Sequence, residues 1–252
     1  MAPTALVTGA SSGIGEQFAR QLAERGHDLV LVARRADRLK RLAGHIPTHA
    51  HVIRADLATD AASIPGRVEE LGVDVDLLVN NAGFGTYGHF WDIPEGRDAE
   101  IVRVNCEAVI TLTRAFLPAM IQRGRGGVIN VASTAGMQPI PYEAAYSASK
   151  AFVITFTDAL ATELRGTGVG CMAVNPGPVP TEWQEVAGHS AEGVVPGQID
   201  PDQVVRESLA AYERDSRTVI PGRRIRWFIR ATRPSPRSIQ LRVTERLYRP
   251  KG

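Results

Sequence analysis

The sequence predicts an α/β fold: a doubly wound parallel sheet in three layers, followed by a C-terminal helical extension. Three observations lead there. Short, continuously apolar runs alternate with stretches of helical periodicity through the first 180 residues, the pattern of parallel strands covered by helices on both faces. A glycine-rich turn, Thr8-Gly9-Ala10-Ser11-Ser12-Gly13-Ile14-Gly15, joins the first run to the first helix. No internal repeat or Pro/Gly/Ser-rich break divides those residues, and 252 residues suit one such domain whose core needs no disulfide or metal.

The elements follow in order. Thr4–Thr8 is a buried strand. Ser12–Arg25 is a helix with Ile14, Phe18 and Leu22 on one face, and Gly26 is its stop. Asp28–Ala33 is a strand, and Ala36–Ala43 a charged helix with Leu39 and Leu42 inward. His51–Ala55 and Asp76–Val79 are strands on either side of a helix near Ala61–Leu71. A long helix runs from about Arg97 to Arg123. Val128–Ala132 and Val169–Val174 are strands flanking a helix that includes Tyr146–Leu164, and Thr218–Ile220 is the last strand. We place one domain over residues 1–221 and a basic amphipathic extension over 222–252. In such sheets ligands bind outside the carboxyl ends of the strands.

Composition excludes several classes. Hydrophobic residues make up 44% and charged residues 22%, values of an ordinary globular protein. The net charge of +2 is too small for nucleic acid to be the main partner. Cys106 and Cys171 stand far apart and read as small core residues, so a reduced, cytoplasmic setting is expected. The opening residues read as strand rather than as a secretory leader, and no uncharged apolar run approaches a membrane span. His49 and His51 alternate on one strand face, but no Cys, Asp or Glu set completes a metal site.

The glycine turn lets the backbone approach a pyrophosphate, which the N–H groups and dipole of the following helix then hold. Its spacing is G-x-x-x-G-x-G rather than the more familiar G-x-G-x-x-G. At the end of the second strand, where an acid would grip a ribose 2′-hydroxyl, stand Arg34 and Arg35. Guanidinium groups suit a 2′-phosphate, so NADP(H) is favoured over NAD(H). The other reading is a solvated basic helix start, with Arg38, Lys40 and Arg41 following.

Taken with residues downstream, the chain resembles the short-chain dehydrogenase/reductase family over about residues 4–182. The resemblance rests on Thr8–Gly15, Asp56, Asn80-Asn81-Ala82-Gly83, Asn105, Ser133, Tyr146-Ser147-Ala148-Ser149-Lys150 and Asn175-Pro176-Gly177. It implies a Rossmann-type fold and nicotinamide-dependent hydride transfer between alcohol and carbonyl. It implies cofactor contacts from Gly9, Ser11, Ser12, Gly13, Ile14, Gly15, Leu57, Asn81, Ala82, Gly83, Tyr146, Lys150, Pro176, Gly177, Val179 and Thr181, with Asp56 at the adenine. It also implies a homodimer or homotetramer formed through the two long helices. Asn80 has a second reading, as a bond between neighbouring strands.

The chemistry can be checked group by group. Reducing a ketone takes a hydride on carbon and a proton on oxygen. Tyr146 can supply the proton, but a phenol ordinarily titrates near 10. Lys150 lies one helical turn on, and lysine occurs elsewhere only at positions 40 and 251. A nearby ammonium lowers a phenol's pKa, and its three donors can reach a ribose hydroxyl. Ser133, just beyond a strand end, can donate to the carbonyl oxygen as charge develops. Asn105 has two readings: a backbone–water relay to Lys150, implied by the resemblance, or a buried side chain satisfying a backbone group.

Residues from Pro178 to about Pro201 read as a candidate lid carrying Trp183 and Val186. Phe84, Tyr87, Phe90 and Trp91, with Met137, Pro139 and Ile140, suggest an apolar substrate pocket; Tyr142 is a pocket or packing residue. In the tail, nine arginines from Arg223 to Arg249 and Lys251 face only Glu245. Ile225, Phe228 and Ile229 share one helical face, and Ile239, Val243 and Leu247 another. Covering the pocket or packing on a second subunit is favoured over peripheral membrane contact or nucleic acid. The competing function is a catalytically silent, nicotinamide-binding sensor on the same fold.

Overall fold

The computed structural model describes residues 2–180, 182 and 198–250. Strands β1 (Thr4–Thr8), β2 (Asp28–Ala33), β3 (Ala50–Arg54), β4 (Leu77–Asn80), β5 (Gly126–Val131), β6 (Val169–Val174) and β7 (Thr218–Val219) form one sheet. Their order is β3-β2-β1-β4-β5-β6-β7, and every neighbouring pair is parallel. Order therefore reverses between β1 and β4, which opens a crevice at their carboxyl ends.

The helices are α1 (Gly13–Glu24), α2 (Ala36–Ala43), α3 (Ile64–Glu70), α4 (Arg97–Val102), α5 (Ala108–Arg123), α6 (Ala144–Glu163), α7 (Pro201–Tyr212), α8 (Arg223–Thr232) and α9 (Arg237–Tyr248). Period-two alternation divides each strand between the two faces of the sheet. Ala5, Val7, Leu29 and Leu31 point one way, into a core with Phe18 and Leu22 of α1, Leu39 of α2, Leu209 of α7 and Ile225 of α8. Leu6, Val30 and Leu78 point the other way, onto Ile64 of α3, Ile101 of α4 and Leu112 and Met120 of α5. Each such Leu, Ile or Phe stabilises the fold by roughly 1.5–3 kcal/mol relative to exposure. The result is the three-layer, Rossmann-type architecture that the sequence predicts. The stretch Arg97–Arg123 is long and apolar enough to cross a membrane by composition, and here it lies along the sheet.

Boundaries differ by a residue or two. β5 starts at Gly126 rather than Val128, because Gly126 and Gly127 pair with Val169 and Gly170 yet carry no apolar signal. β4 starts at Leu77, since Asp76 uses its carboxylate to accept the Thr4 N–H at 3.1 Å. Asn80 takes the inter-strand role. It donates to Asn130 at 2.9 Å and to Thr113 at 3.1 Å, and Asn130 donates to Thr157 at 2.9 Å. This buried chain joins β4 and β5 to α5 and α6.

Candidate active site

At the crevice, Thr8 ties the ends of β1 and β4 together. Its hydroxyl accepts the N–H groups of Asn81 at 2.9 Å and Ala82 at 3.0 Å. Gly9 then turns with φ of 66°, where a side chain is disfavoured. Gly15 sits so close to this turn that a Cβ would stand 2.3 Å from the Gly9 carbonyl oxygen. The first turn of α1 presents its unpaired N–H groups beside this loop.

A cavity of about 380 Å³ runs from this loop across the strand ends. Its first half is lined by Gly9, Ser11, Ser12, Gly13 and Ile14, by Arg34 and Arg35, and by Asp56, Leu57, Asn81, Ala82 and Gly83. Arg35 donates to the hydroxyls of Ser11 at 3.1 Å and Ser12 at 2.9 Å, which anchors it at the glycine loop. Arg34 lies 3.9 Å from the Asp56 carboxylate. Glu182 bridges Arg35 and Arg38, at 2.6 Å to each. An anion thus already seats between two guanidinium groups beside the loop. Gly15 belongs behind the wall as a packing residue, and Thr181 lies outside the described residues.

The second half is lined by Ser133, Tyr146, Lys150, Pro176, Gly177 and Val179. Ser133 follows β5 directly; its hydroxyl accepts the Ala135 N–H at 3.1 Å and faces the Pro176 carbonyl at 3.5 Å. The 3₁₀ turn Thr134–Met137 lies flat on α6, where a Cβ on Gly136 would stand 2.5 Å from the Lys150 carbonyl carbon. Tyr146 and Lys150 are both buried. Burial pushes the Tyr146 phenol above its usual value, and a hydrogen bond with Ser133 works the other way. The Lys150 ammonium donates to the Val131 carbonyl at 2.9 Å and sits 5.9 Å from the Tyr146 ring centre. Burial pushes Lys150 down to about 8. Burial is the largest influence on the Tyr146 phenol, and the Val131 carbonyl takes one of the three Lys150 donors.

Asn105 stands behind this wall, in a π-helical turn, Arg103–Glu107, between α4 and α5. Its amide accepts the Phe84 N–H at 3.2 Å and donates to the Phe84 carbonyl at 3.0 Å and the Ser149 hydroxyl at 2.9 Å. Of its two readings the structure displays the backbone-satisfying one. The π turn aims it there.

The short chain dehydrogenase family profile matches residues 3–191. The chain belongs to this family. A very-long-chain 3-oxoacyl-CoA reductase of Phaeosphaeria nodorum is 34% identical over 223 residues, 83% of this chain and 63% of that protein. Among solved structures, a short-chain dehydrogenase from Sphingobium yanoikuyae in complex with NADPH is 33% identical with a TM-score of 0.82, covering 91% of this chain and 92% of the other. The bulky-bulky ketone specific alcohol dehydrogenase from Comamonas testosteroni is 32% identical with a TM-score of 0.77, covering 91% of each chain. The chain spans about three fifths of the length of the first curated relatives it matches, 60% and 63%.

In this member of the family the far end of the cavity is walled by Phe84, Gln138, Ile140, Glu143, Phe228, Ile229 and Tyr248. The basic tail therefore reaches the pocket. Tyr87 donates to the Tyr248 carbonyl at 2.9 Å, Thr244 to the Pro139 carbonyl at 3.3 Å, and Tyr142 to Glu245 at 3.4 Å. These bonds hold α9 across the far end of the cavity. Tyr142 is thus a packing residue, held at φ of 68°. Phe90 and Trp91 are exposed rather than pocket-lining, and Ile239, Val243 and Leu247 turn outward on α9. Trp183, Val186, Lys251 and the lid residues 183–197 lie outside the described residues. Sequence reasoning missed Arg38, Glu182, Gln138, Glu143 and Tyr248. Only Glu143, three positions before Tyr146, carried a usable signal.

Proposed function

We propose that this dehydrogenase is an NADP(H)-dependent oxidoreductase that interconverts a hydrophobic ketone and its alcohol, with Tyr146 as general acid/base. One observation carries the reading: a single cavity has Arg34 and Arg35 at one end and Ser133, Tyr146 and Lys150 at the other. The residues fit a phosphorylated dinucleotide. A Cβ on Gly83 would stand 3.1 Å from both Asn105 and Lys150, so the floor admits close approach only without side chains. Arg35 would hold the 2′-phosphate, with Arg34 beside it, and the N-terminus of α1 the pyrophosphate. When bound, the cofactor supplies the hydride.

The protein's own groups handle the proton. A phenol raised by burial keeps its proton at neutral pH, as a donor to the forming alkoxide must. Ser133 donates to the same oxygen and steadies the charge before the proton arrives. Lys150, mostly protonated at pH 7, fixes a positive charge beneath the site. The mixed apolar and polar far wall suits a medium or large carbonyl compound. The related ketone-specific alcohol dehydrogenase and 3-oxoacyl-CoA reductase support that class. We place the protein in the cytoplasm, as a homodimer or homotetramer through α4–α5 and α6, where Val102 and Ile110 are exposed.

The deciding experiment titrates NADPH and NADH by fluorescence and then screens ketones and alcohols for turnover. Tighter binding of NADPH and reduction of hydrophobic ketones are expected. Tyr146→Phe should abolish turnover while leaving NADPH affinity within about twofold. Wild-type turnover in that variant defeats the proton role, and preference for NADH defeats the arginine assignment alone.

A further inference from the structure

Glu182 sets its carboxylate among the arginines beside the glycine loop. One oxygen accepts from Arg35 and the other from Arg38, at 2.6 Å each. Glu182, Arg35, Ser11 and Ser12 line the same cavity. Short, charge-assisted bonds from two guanidinium groups are the grip that a phosphate also receives. The partners lie 147 and 144 positions apart in sequence, so local chain geometry does not bring them together.

Arg35 cannot serve two anions in full. A guanidinium has five N–H donors. Arg35 uses its Nε donor on the Ser11 hydroxyl at 3.3 Å, its Nη2 donors on Ser11 at 3.1 Å and Ser12 at 2.9 Å, and an Nη1 donor on Glu182. A bidentate grip takes two parallel N–H groups, and with Glu182 in place Arg35 has only one to offer. A phosphate therefore gains that grip by taking the position of Glu182. Hydrogen bonds from Arg38 and Arg35 hold the Glu182 carboxyl below its usual value, so it stays an anion at working pH. The side chains are 44% exposed at Arg35 and 38% at Glu182, and ion pairs so open to water are weak enough to exchange.

We propose that Glu182 is a specificity-determining residue: an internal anion that occupies the 2′-phosphate position and must leave before NADP(H) is gripped. This rests on the NADP(H) reading above and deepens it. Only the fraction of molecules with vacant arginines is competent for the phosphate, so the apparent affinity for NADP(H) is lowered by that fraction. NAD(H), with a hydroxyl at that position, does not need the vacancy. Glu182 thus narrows the preference that Arg34 and Arg35 create.

The test measures Kd for NADPH and for NADH by fluorescence in the wild-type chain, Glu182→Gln and Asp37→Asn. Asp37 is exposed on α2, beside the same arginines. Its replacement removes one negative charge without vacating Arg35, and so separates displacement from a change in the general field. In Glu182→Gln the Kd for NADPH should fall about fivefold, the order set by exposed ion pairs, while that for NADH stays within about twofold. In Asp37→Asn both should stay within about twofold of the wild type. Three results overturn the internal anion while NADPH remains the tighter ligand: no gain for NADPH in Glu182→Gln, a parallel gain for NADH, or an equal gain in Asp37→Asn. Weaker binding of both cofactors in Glu182→Gln also overturns it, since Glu182 then holds the cofactor in rather than competing with it. NADH bound more tightly than NADPH in all three proteins removes the arginine assignment itself, and the proposal with it.

Discussion

Lys150 has its ammonium on the Val131 carbonyl, and that bond decides how the site should respond to pH. Burial brings the group to about 8, within reach of ordinary buffers. Carbonyl reduction should therefore fall as pH rises through about 8 and the positive charge beneath the site is lost. A kcat/KM profile from pH 6 to 10 checks this; a flat profile to pH 9.5 would detach Lys150 from the reaction. Glu143 gives a second test, read on stability. Its folded value of about 7 lies above the ordinary 4.5, so the folded state holds the proton more tightly than the unfolded chain. Its contribution is whole below pH 4.5 and is lost as pH rises to about 7. The sum is about 3 kcal/mol for such an interval. Glu143→Gln should match the wild type in urea unfolding near pH 4.5 and exceed it by up to about 3 kcal/mol at pH 8. The reverse order would mean that the carboxylate has a partner that stabilises its charge.

At the scale of elements, local pattern and distant pairing separate cleanly. The glycine loop was legible because tight approach needs glycine at particular places. Gly15 meets the Gly9 carbonyl, so Gly15→Ala should cost more than about 2 kcal/mol and weaken NADPH binding at least tenfold. Gly66, on α3, has nothing within 4 Å of an added Cβ. Gly66→Ala should instead stabilise by about 0.5–1 kcal/mol through helix propensity and a less flexible unfolded chain. Calorimetry of both variants, with and without NADPH, reads the contrast. Strands and the Tyr146–Lys150 helix were legible for a similar reason: their signals lie within a dozen residues. Glu182 between Arg35 and Arg38 was not, because those partners are 147 and 144 positions away in sequence. The π turn at Asn105 was hidden too, since its residues carry the periodicity of the helices on either side.

Across the whole molecule, the two helices of the tail have different placements. The sequence favours a tail that covers the pocket or packs on a second subunit, and α8 goes further, sending Ile225 and Ile229 into the main core, where Ile225 closes on Gly177 so that a Cβ would meet it at 2.7 Å. α9 differs: apart from Thr244 its residues are at least partly exposed, and three side-chain hydrogen bonds carry it across the far end of the cavity. The two helices should therefore separate under truncation. Ending the chain at Pro236 removes α9 and the Tyr248 wall but spares the arginine cluster, the glycine loop and the core. NADPH affinity should stay within about twofold. KM for a hydrophobic ketone should rise about tenfold or more, because the apolar wall is lost and water enters beside Tyr146. Ending the chain at Gly222 should instead destabilise the fold, since Ile225 and Ile229 together contribute roughly 3–6 kcal/mol of burial. Stopped-flow cofactor binding, steady-state kinetics and thermal unfolding on the two truncations distinguish these effects. Unchanged KM without α9 would show that the tail helix covers the pocket without shaping what binds there.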